Sequence, residues 1–409
     1  GQNNVAMGYL SLSSDTKGEN SVAIGVLALS AQNFTTATSS YNVAVGRSAG
    51  AAITTGIENT LIGGLAGDAL TNADYNTVVG YSALTADTLG SKSVAVGTAA
   101  LQAQNFTTAT DAHNVAVGFS AGLAVTTGVD NTLIGALAGD SLTVCGNNVA
   151  VGTNALGSDT RGSKNVAIGN AALGTQNFTT ATDGNNVAIG NGAGFAVTTG
   201  TQNTFVGGQA GDGTDDGNNN TAVGYLALSA NCGSHNTAIG HHALKVQTGT
   251  SGTVGNTAVG YKALDEILTG TANVAVGANA LGNADGAENE NVGIGYNAGI
   301  NLDNGSNNIA IGSNTNFSTA AASNQIVIGK DATGVANNSV TLGNADTTAV
   351  YMAQDSGATV HAGKLNLTSN QITNSSGNIQ INANSGLVTT AAFQSTSANL
   401  SFFTGPLNV

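Results

Sequence analysis

A five-residue pattern of polar and apolar positions recurs along most of the chain. It reads Asn-Val-Ala-Val-Gly at 42–46 and 114–118, and Asn-Val-Ala-Ile-Gly at 165–169 and 186–190. We number each unit from its closing glycine, position 0. In all twenty units position −3 is Val, Ile or Thr and position −1 is apolar. This alternation and the enrichment in β-branched residues are typical of a strand, so the pattern predicts twenty short strands.

The closing glycines set the period of the repeat. Most neighbours have the 17-residue spacing of Gly63 and Gly80, and the 21-residue spacing of Gly25 and Gly46 recurs three times. The wider spacing returns with a 72-residue period, which defines a superrepeat whose copies start at Gly25, Gly97 and Gly169. The glycines are Gly8, Gly25, Gly46, Gly63, Gly80, Gly97, Gly118, Gly135, Gly152, Gly169, Gly190, Gly207, Gly224, Gly240, Gly260, Gly277, Gly295, Gly312, Gly329 and Gly343. Regular internal repeats of this kind indicate an array of stacked units.

A 17-residue unit suits two short strands and two tight turns, which make one coil of a parallel β-solenoid. Each coil adds about 4.8 Å, so twenty coils predict an all-β rod of roughly 95 Å. The chain has one Pro, as expected where internal strands must donate hydrogen bonds on both sides. Position −4 is mostly Asn and predicts a turn whose amides form a ladder. We expect the closing Gly to occupy a corner with positive φ or close backbone contact.

The register of the pattern divides the chain in two. Residues 1–344 form the repeat array, and from 345 the pentad is lost although apolar residues still alternate up to about 388. Residues 345–409 are therefore predicted to form a different β structure, a neck and stalk.

The two sides of each strand receive different predictions. We expect positions −3 and −1 to face the interior of the coil, and position −2 to face outward. Position −2 is Ala in thirteen units, so an outward column of small apolar residues would mark an interface between chains. The representatives of this predicted interface are Ala44, Ala116, Ala188 and Ala275.

The 21-residue units contain a Thr-rich insertion, which reads AQNFTTAT at 31–38 and 103–110 and TQNFTTAT at 175–182. Phe34, Phe106 and Phe178 take the same place in the three copies. One hypothesis is that these loops face a glycan or protein receptor, and the alternative is that each Phe packs on its own coil. The loops also contain N-x-[ST] sequons at Asn33, Asn105 and Asn177, which follow from the repetition alone.

Composition excludes several classes of function. The net charge of −14 disfavours nucleic-acid binding through phosphates. No apolar run is long enough to span a membrane, and no signal peptide is visible. The sequence lacks a starting Met, which suggests a fragment or a processed product. Cys145 and Cys232 lie far apart in the repeat, so we predict two unpaired thiols.

Few residues offer chemistry. His241 and His242 could form a metal site where chains meet, and DGTDDGNNN at 212–220 concentrates oxygen ligands, but surface positions and solvated turns explain both. Asp68, Asp140 and Asp212 recur with the 72-residue period. No nucleotide loop, nucleophile elbow or zinc motif is present. Paired carboxylates, as a polysaccharide depolymerase requires, are also missing, so we predict no enzyme activity and no cofactor.

The pentads NSVAIG at 20–25 and NVAIG at 165–169 resemble the head repeats of YadA-type trimeric autotransporter adhesins. The longer units NTAVGYLAL at 220–228 and NTAVGYKAL at 256–264 are similar to repeats of bacteriophage tail fibres. Residues 338–363 resemble a segment that leads into a trimeric stalk in such proteins. The autotransporter repeat is shorter than the one here, and this chain shows neither its coiled-coil stalk nor its membrane barrel.

The resemblance implies a left-handed β-roll of three identical chains. The function it implies is the structural shaft of an extracellular bacteriophage tail fibre, involved in attachment to the host surface. The alternative is a bacterial cell-surface adhesin or an extracellular filament. Expected partners are two further copies of the chain, a host glycan or protein receptor, and other tail or surface structural proteins. Neither nucleic-acid binding nor membrane insertion is expected.

Overall fold

The computed structural model describes residues 1–248 and 252–350, which contain strands and turns and no helix. The predicted stalk from 351 onward lies outside the described residues. The strands are short, and in chain order they are β1 (Val5–Met7), β2 (Gly18–Glu19), β3 (Val22–Ile24), β4 (Thr38–Ser39), β5 (Val43–Val45), β6 (Thr60–Ile62), β7 (Thr77–Val79), β8 (Gly90–Ser91), β9 (Val94–Val96), β10 (Thr110–Asp111), β11 (Val115–Val117), β12 (Thr132–Ile134), β13 (Val149–Val151), β14 (Gly162–Ser163), β15 (Val166–Ile168), β16 (Thr182–Asp183), β17 (Val187–Ile189), β18 (Thr204–Val206), β19 (Thr221–Val223), β20 (Thr237–Ile239), β21 (Thr257–Val259), β22 (Val274–Val276), β23 (Val292–Ile294), β24 (Ile309–Ile311), β25 (Gln325–Ile328) and β26 (Ser339–Leu342).

Twenty of these strands form one sheet in which every pairing is parallel and joins consecutive coils. Val43 of β5 lies between Val22 of β3 and Thr60 of β6, and the same register continues along the sheet. The six two-residue strands pair as β2 with β4, β8 with β10, and β14 with β16. Each pair lies next to the Thr-rich insertion of a 21-residue unit. The predicted parallel β-solenoid of about twenty coils is therefore confirmed.

The closing glycine makes the corner after each strand. From Gly8 to Gly329 its φ lies between 132° and 147°, a region that side chains strongly disfavour. A Cβ atom at Gly46 would lie 2.4 Å from the carbonyl oxygen of Gly63 in the next coil. The predictions of positive φ and of close backbone contact are both confirmed, and they explain why no other residue occupies this column.

The interior of each coil is lined by positions −2 and +3 and by one larger side chain. From Gly8 to Gly190, a Leu at position +4, as at Leu29, is accompanied by a polar residue at +7, as at Gln32. In the same part of the chain a Gly at +4, as at Gly50, is accompanied by an apolar residue at +7, as at Ile53. A Cβ at Gly50 would lie 3.1 Å from the Cδ1 of Ile53. In these coils the two positions therefore share one space, which holds a single large apolar residue. The coil of Gly260 differs, since Leu264 and Ile267 are both fully buried.

The predicted direction of the strand faces is wrong. Position −2 faces inward: from Ala23 to Val327 its residues are buried. Positions −3 and −1 face outward and are half-buried or exposed, as at Val43 and Val45. The reason is the space inside the coil. Most coils combine a small side chain at −2 with one larger buried side chain at +4 or +7, and the β-branched residues lie outside. Position −2 is larger at Leu61 and Phe205, and there a Gly at +4, Gly67 or Gly211, leaves the room.

The Asn column forms the predicted ladder inside the solenoid. The Nδ2 group of Asn59 donates to Oδ1 of Asn42 at 3.3 Å, and Nδ2 of Asn76 donates to Oδ1 of Asn59 at 3.2 Å. The backbone N–H of Asn59 donates to the same Oδ1 atom of Asn42 at 3.0 Å. All three side chains are fully buried. The left-handed conformation belongs to the preceding residue, as at Tyr41 with a φ of 48°.

Candidate functional site: the outer face of the sheet

The outer face of the twenty-stranded sheet carries two parallel columns of β-branched side chains, at positions −3 and −1. The exposed fraction at position −1 is 39% for Ile62, 39% for Ile134 and 40% for Ile239. Position −3 is half-buried in most coils and is Val, Thr or Ile. Because the strands are in register, these side chains line up from coil to coil. The result is a narrow apolar strip along the whole sheet.

Aromatic side chains widen this strip at position +1, directly after the corner. Tyr81 is 60% exposed, Phe119 59% and Tyr296 54%. Contiguous exposed apolar surface of this kind is typical of an interaction site, and aromatic residues are enriched at such sites. The sequence shows these columns, but alternation alone does not tell that positions −3 and −1 face outward and position −2 faces the interior.

The residues predicted to form the interface between chains lie elsewhere. Ala44, Ala116, Ala188 and Ala275 are each 0% exposed within a single chain. They contact the interior of their own coils, so no second chain can reach them. The interface predicted at these residues is therefore wrong.

The histidine pair lies on the outside of the solenoid. The rings of His241 and His242 stack with centroids 4.0 Å apart, and Tyr225 and Tyr261 each lie 5.5 Å from His241. Burial, followed by the nearby charge of His241, lowers the pKa of His242. The two residues follow strand β20 and its corner glycine, Gly240. Stacking with the two tyrosines accounts for both rings without a metal ion.

The Thr-rich loops are held by a buried polar network that the sequence did not reveal. Nε2 of Gln104 donates to Oδ2 of Asp87 at 2.6 Å and to Oγ of Ser93 at 3.1 Å. Oε1 of Gln104 accepts from Nδ2 of Asn114 at 2.9 Å, which joins the network to the Asn ladder. The Asp87 carboxylate also accepts from the backbone N–H of Phe106 at 3.0 Å.

This network recurs with the superrepeat, and its third copy is centred on Asp159. Gln176 donates to Oδ2 of Asp159 at 2.6 Å, and the backbone N–H of Phe178 donates to Oδ1 at 3.3 Å. Burial raises the pKa of Asp159, while the hydrogen bonds from Gln176, Phe178 and Gly162 oppose that shift. A signal was available in the sequence, since the Asp and Gln recur at position +7 of successive coils.

The phenylalanines of these loops anchor them and do not face a receptor. Phe34 and Phe106 are 5% exposed and Phe178 is 4% exposed. A Cβ atom at Gly90, in the preceding coil, would lie 2.8 Å from Cδ2 of Phe106. The rings therefore pack on the solenoid, though against the preceding coil, and a receptor contact through the rings is wrong. The exposed residues of the first loop include Asn33, Thr35 and Thr36.

Three carboxylates come together although no sequence motif indicated it. Ligand atoms of Asp285, Glu288 and Asp303 lie within 4.8 Å of one another. Oxygen ligands of this type suit a hard divalent cation. However, Glu288 accepts hydrogen bonds from the backbone N–H groups of Gly286 at 3.0 Å and Asn304 at 2.8 Å. The neighbouring Asp285 carboxyl group raises the pKa of Asp303. The backbone donors account for the position of Glu288 without a metal ion.

The remaining candidates do not assemble into a site within the described residues. Asp215 in the DGTDDGNNN segment accepts a hydrogen bond from the hydroxyl group of Thr198. Cys145 and Cys232 are buried and unpaired, and burial raises the pKa of each thiol to about 11. Such thiols are unreactive at neutral pH.

No protein-family model matches the chain, and no curated protein is significantly similar to it. No part of the described chain forms an apolar helix of the length that would cross a membrane.

Proposed function

We propose that the chain is the structural shaft of a homotrimeric bacteriophage tail fibre that takes part in attachment to the host surface. The observation that carries this proposal is the apolar strip formed by positions −3 and −1. A solitary solenoid would expose this strip along the whole length of its sheet. Three copies arranged around a common axis would cover it, and the same face of each copy would contact its neighbours.

Two further features support a structural role. The coils follow one another in register, and each contacts only its neighbours, so the chain builds length more than it builds a cleft. The repeat also resembles those of trimeric fibres and adhesins. A bacterial surface adhesin of the same architecture is the second candidate, and the resemblance of NSVAIG to adhesin head repeats is the observation in its favour.

Light scattering of the purified full chain tests the assembly. We expect three times the chain mass of 39.9 kDa. Val117 and Val151 are at position −1 two coils apart, and Val117→Glu with Val151→Glu should reduce the trimer at least tenfold while circular dichroism stays unchanged. A monomeric wild type contradicts the trimer. A variant of full trimer mass contradicts the assignment of the interface to this face.

Gold-labelled antibodies against the chain test the location. Label on tail fibres of phage particles supports the first candidate. Label on bacterial cells that contain no phage particles supports the adhesin.

A further inference from the structure

A shallow cleft of about 320 Å³ lies on the outside of the solenoid, where the second superrepeat meets the third. Four residues in one column define it: Asp140 at one end, Gly157 and Gly174 in the middle, and Phe195 at the other end. Each is the fifth residue after a corner glycine in four successive coils. At about 4.8 Å per coil, the column from Asp140 to Phe195 is about 14 Å long. The cleft is therefore a trough along the solenoid, with a carboxylate at one end and an aromatic ring at the other.

The same column one 72-residue period earlier shows which side chains fill these four places elsewhere. The equivalent residues are Asp68, Thr85, Gln102 and Leu123. There the hydroxyl group of Thr85 donates a hydrogen bond to the Asp68 carboxylate. The replacement of Thr85 by Gly157 and of Gln102 by Gly174 removes both middle side chains, which opens the trough.

Asp140 loses its partner through this replacement. No side chain of the described residues hydrogen-bonds to its carboxylate, and a Cβ atom at Gly157 would lie 3.5 Å from Oδ1 of Asp140. Partial burial raises the pKa of the carboxyl group, against the backbone N–H groups of Asp140 and Ser141. Neither Gly157 nor Gly174 has a positive φ. A Cβ atom would lie 3.2 Å from the carbonyl oxygen of Asn154 at Gly157 and 3.0 Å from that of Ala171 at Gly174, so a side chain there needs a small adjustment of the backbone. Thr85 and Gln102 at the equivalent positions show that the coil accommodates a side chain.

Phe195 is held in place although its side chain is exposed. The residue is 45% exposed. The hydroxyl group of Thr175 donates to the carbonyl oxygen of Phe195 at 2.6 Å. A Cβ atom at Gly174 would lie 3.1 Å from Cδ2 and Cε2 of the ring. The ring thus lies beside Gly174 and closes one end of the trough.

We propose that this trough binds a neutral glycan, as a short stretch of a surface polysaccharide lying along the solenoid. Sugars offer hydroxyl groups that donate to a carboxylate and an apolar C–H face that packs on an aromatic ring. Asn154 and Ser158 add exposed polar groups along the trough. No cationic side chain lines the trough, and the chain has a net charge of −14, so an anionic glycan is disfavoured.

Saturation-transfer NMR on the full chain tests this assignment, which rests on the proposed attachment function. The probes are neutral oligosaccharides of glucose, galactose, mannose and N-acetylglucosamine, with sialylated and sulfated oligosaccharides as the acidic arm. Gly157→Thr restores the side chain found at Thr85, and Phe195→Ala removes the aromatic ring. The matched control is Leu123→Ala, which changes the equivalent of Phe195 one 72-residue period earlier.

We expect at least one neutral oligosaccharide to bind, with a Kd that rises at least tenfold in Gly157→Thr and Phe195→Ala and stays within twofold in Leu123→Ala. The proposal is overturned if no neutral oligosaccharide binds, if only acidic ones bind, or if Gly157→Thr binds as the wild type does. Antibody labelling of particles and cells separates the two proposals. A chain that labels fibres but binds no sugar refutes the trough alone, whereas a sugar-binding chain found on neither particles nor cells refutes the attachment function.

Discussion

The inner and outer sides of most three-residue strands carry different side chains. In β11 the inner residue Ala116 is fully buried, whereas its neighbours Val115 and Val117 are half-buried on the outer side. The inner side accepts only what the narrow coil can hold, and the outer side carries the β-branched residues that favour strands. The buried side of a strand is therefore set by the space inside the coil, and not by the bulk or β-branching of its side chains.

The largest expected effect comes from placing the same charge on each side of β11. Ala116→Glu would bury a carboxylate in a space that fits a methyl group, at a cost on the order of 5 kcal/mol. Val117→Glu would place the same group in partial contact with solvent and should leave the single chain folded. Thermal unfolding followed by circular dichroism measures both variants. Equal melting temperatures would show that the two sides are not distinct.

The corner glycines allow the same comparison between two adjacent residues. Gly63 has a φ of 135°, and a Cβ there would lie 2.4 Å from the carbonyl oxygen of Gly80. Gly64 has no positive φ, and its Cβ would come no closer than 3.5 Å to Tyr81. We expect Gly63→Ala to cost about 3 kcal/mol and Gly64→Ala to change stability by less than about 0.5 kcal/mol. Hydrogen exchange around β6 and β7 would localise the loss. Similar melting curves for the two variants would contradict the corner geometry.

The fold was predictable from the sequence because its repetition fixed the coil length, the strands and the corner glycines. The sides of the strand were not predictable from alternation, since a period of two is the same whichever side is buried. The small residues at −2, as at Ala44, suit a close contact between chains as well as the narrow interior of a coil. The trough was not predictable either, because Asp140 is one copy of a repeated aspartate in the sequence. In the structure Asp68 accepts a hydrogen bond from Thr85, whereas Asp140 has Gly157 at that place, and this difference distinguishes it.

A smaller effect should come from the polar network of Asp159 and Gln176, which takes the place of apolar packing in the coils next to the third Thr-rich loop. Asp159→Asn would bring an amide group against the Nε2 of Gln176, and the mismatched donors should cost about 1–3 kcal/mol. Leu142, at the same position +7 of the preceding coil, packs in the apolar core. Melting curves at neutral pH give the loss for Asp159→Asn. A variant as stable as the wild type would show that the network does not hold the loop coils.

The pH dependence sharpens this prediction. Because burial raises the pKa of Asp159 above 3.8, the folded state binds the proton more tightly than the unfolded state does. This contribution to stability increases as the pH falls through the raised pKa toward 3.8, and it is lost as the pH rises. The variant has no such proton, so the difference in melting temperature between wild type and Asp159→Asn should widen on acidification. A constant difference would indicate that Asp159 has the same pKa in both states.

The smallest effect is expected at the surface, where the superrepeat also places charged pairs. Nζ of Lys92 lies 2.5 Å from Oδ2 of Asp111, and the two side chains are 41% and 52% exposed. Exposed pairs of this kind contribute about 0.2–1 kcal/mol and weaken with salt. Lys92→Ala should therefore lower the melting temperature less than Asp159→Asn does, and moderate salt should abolish the difference from wild type. A loss as large as that of Asp159→Asn, and insensitive to salt, would mean that the outer side stabilises the coils as strongly as the inner side does.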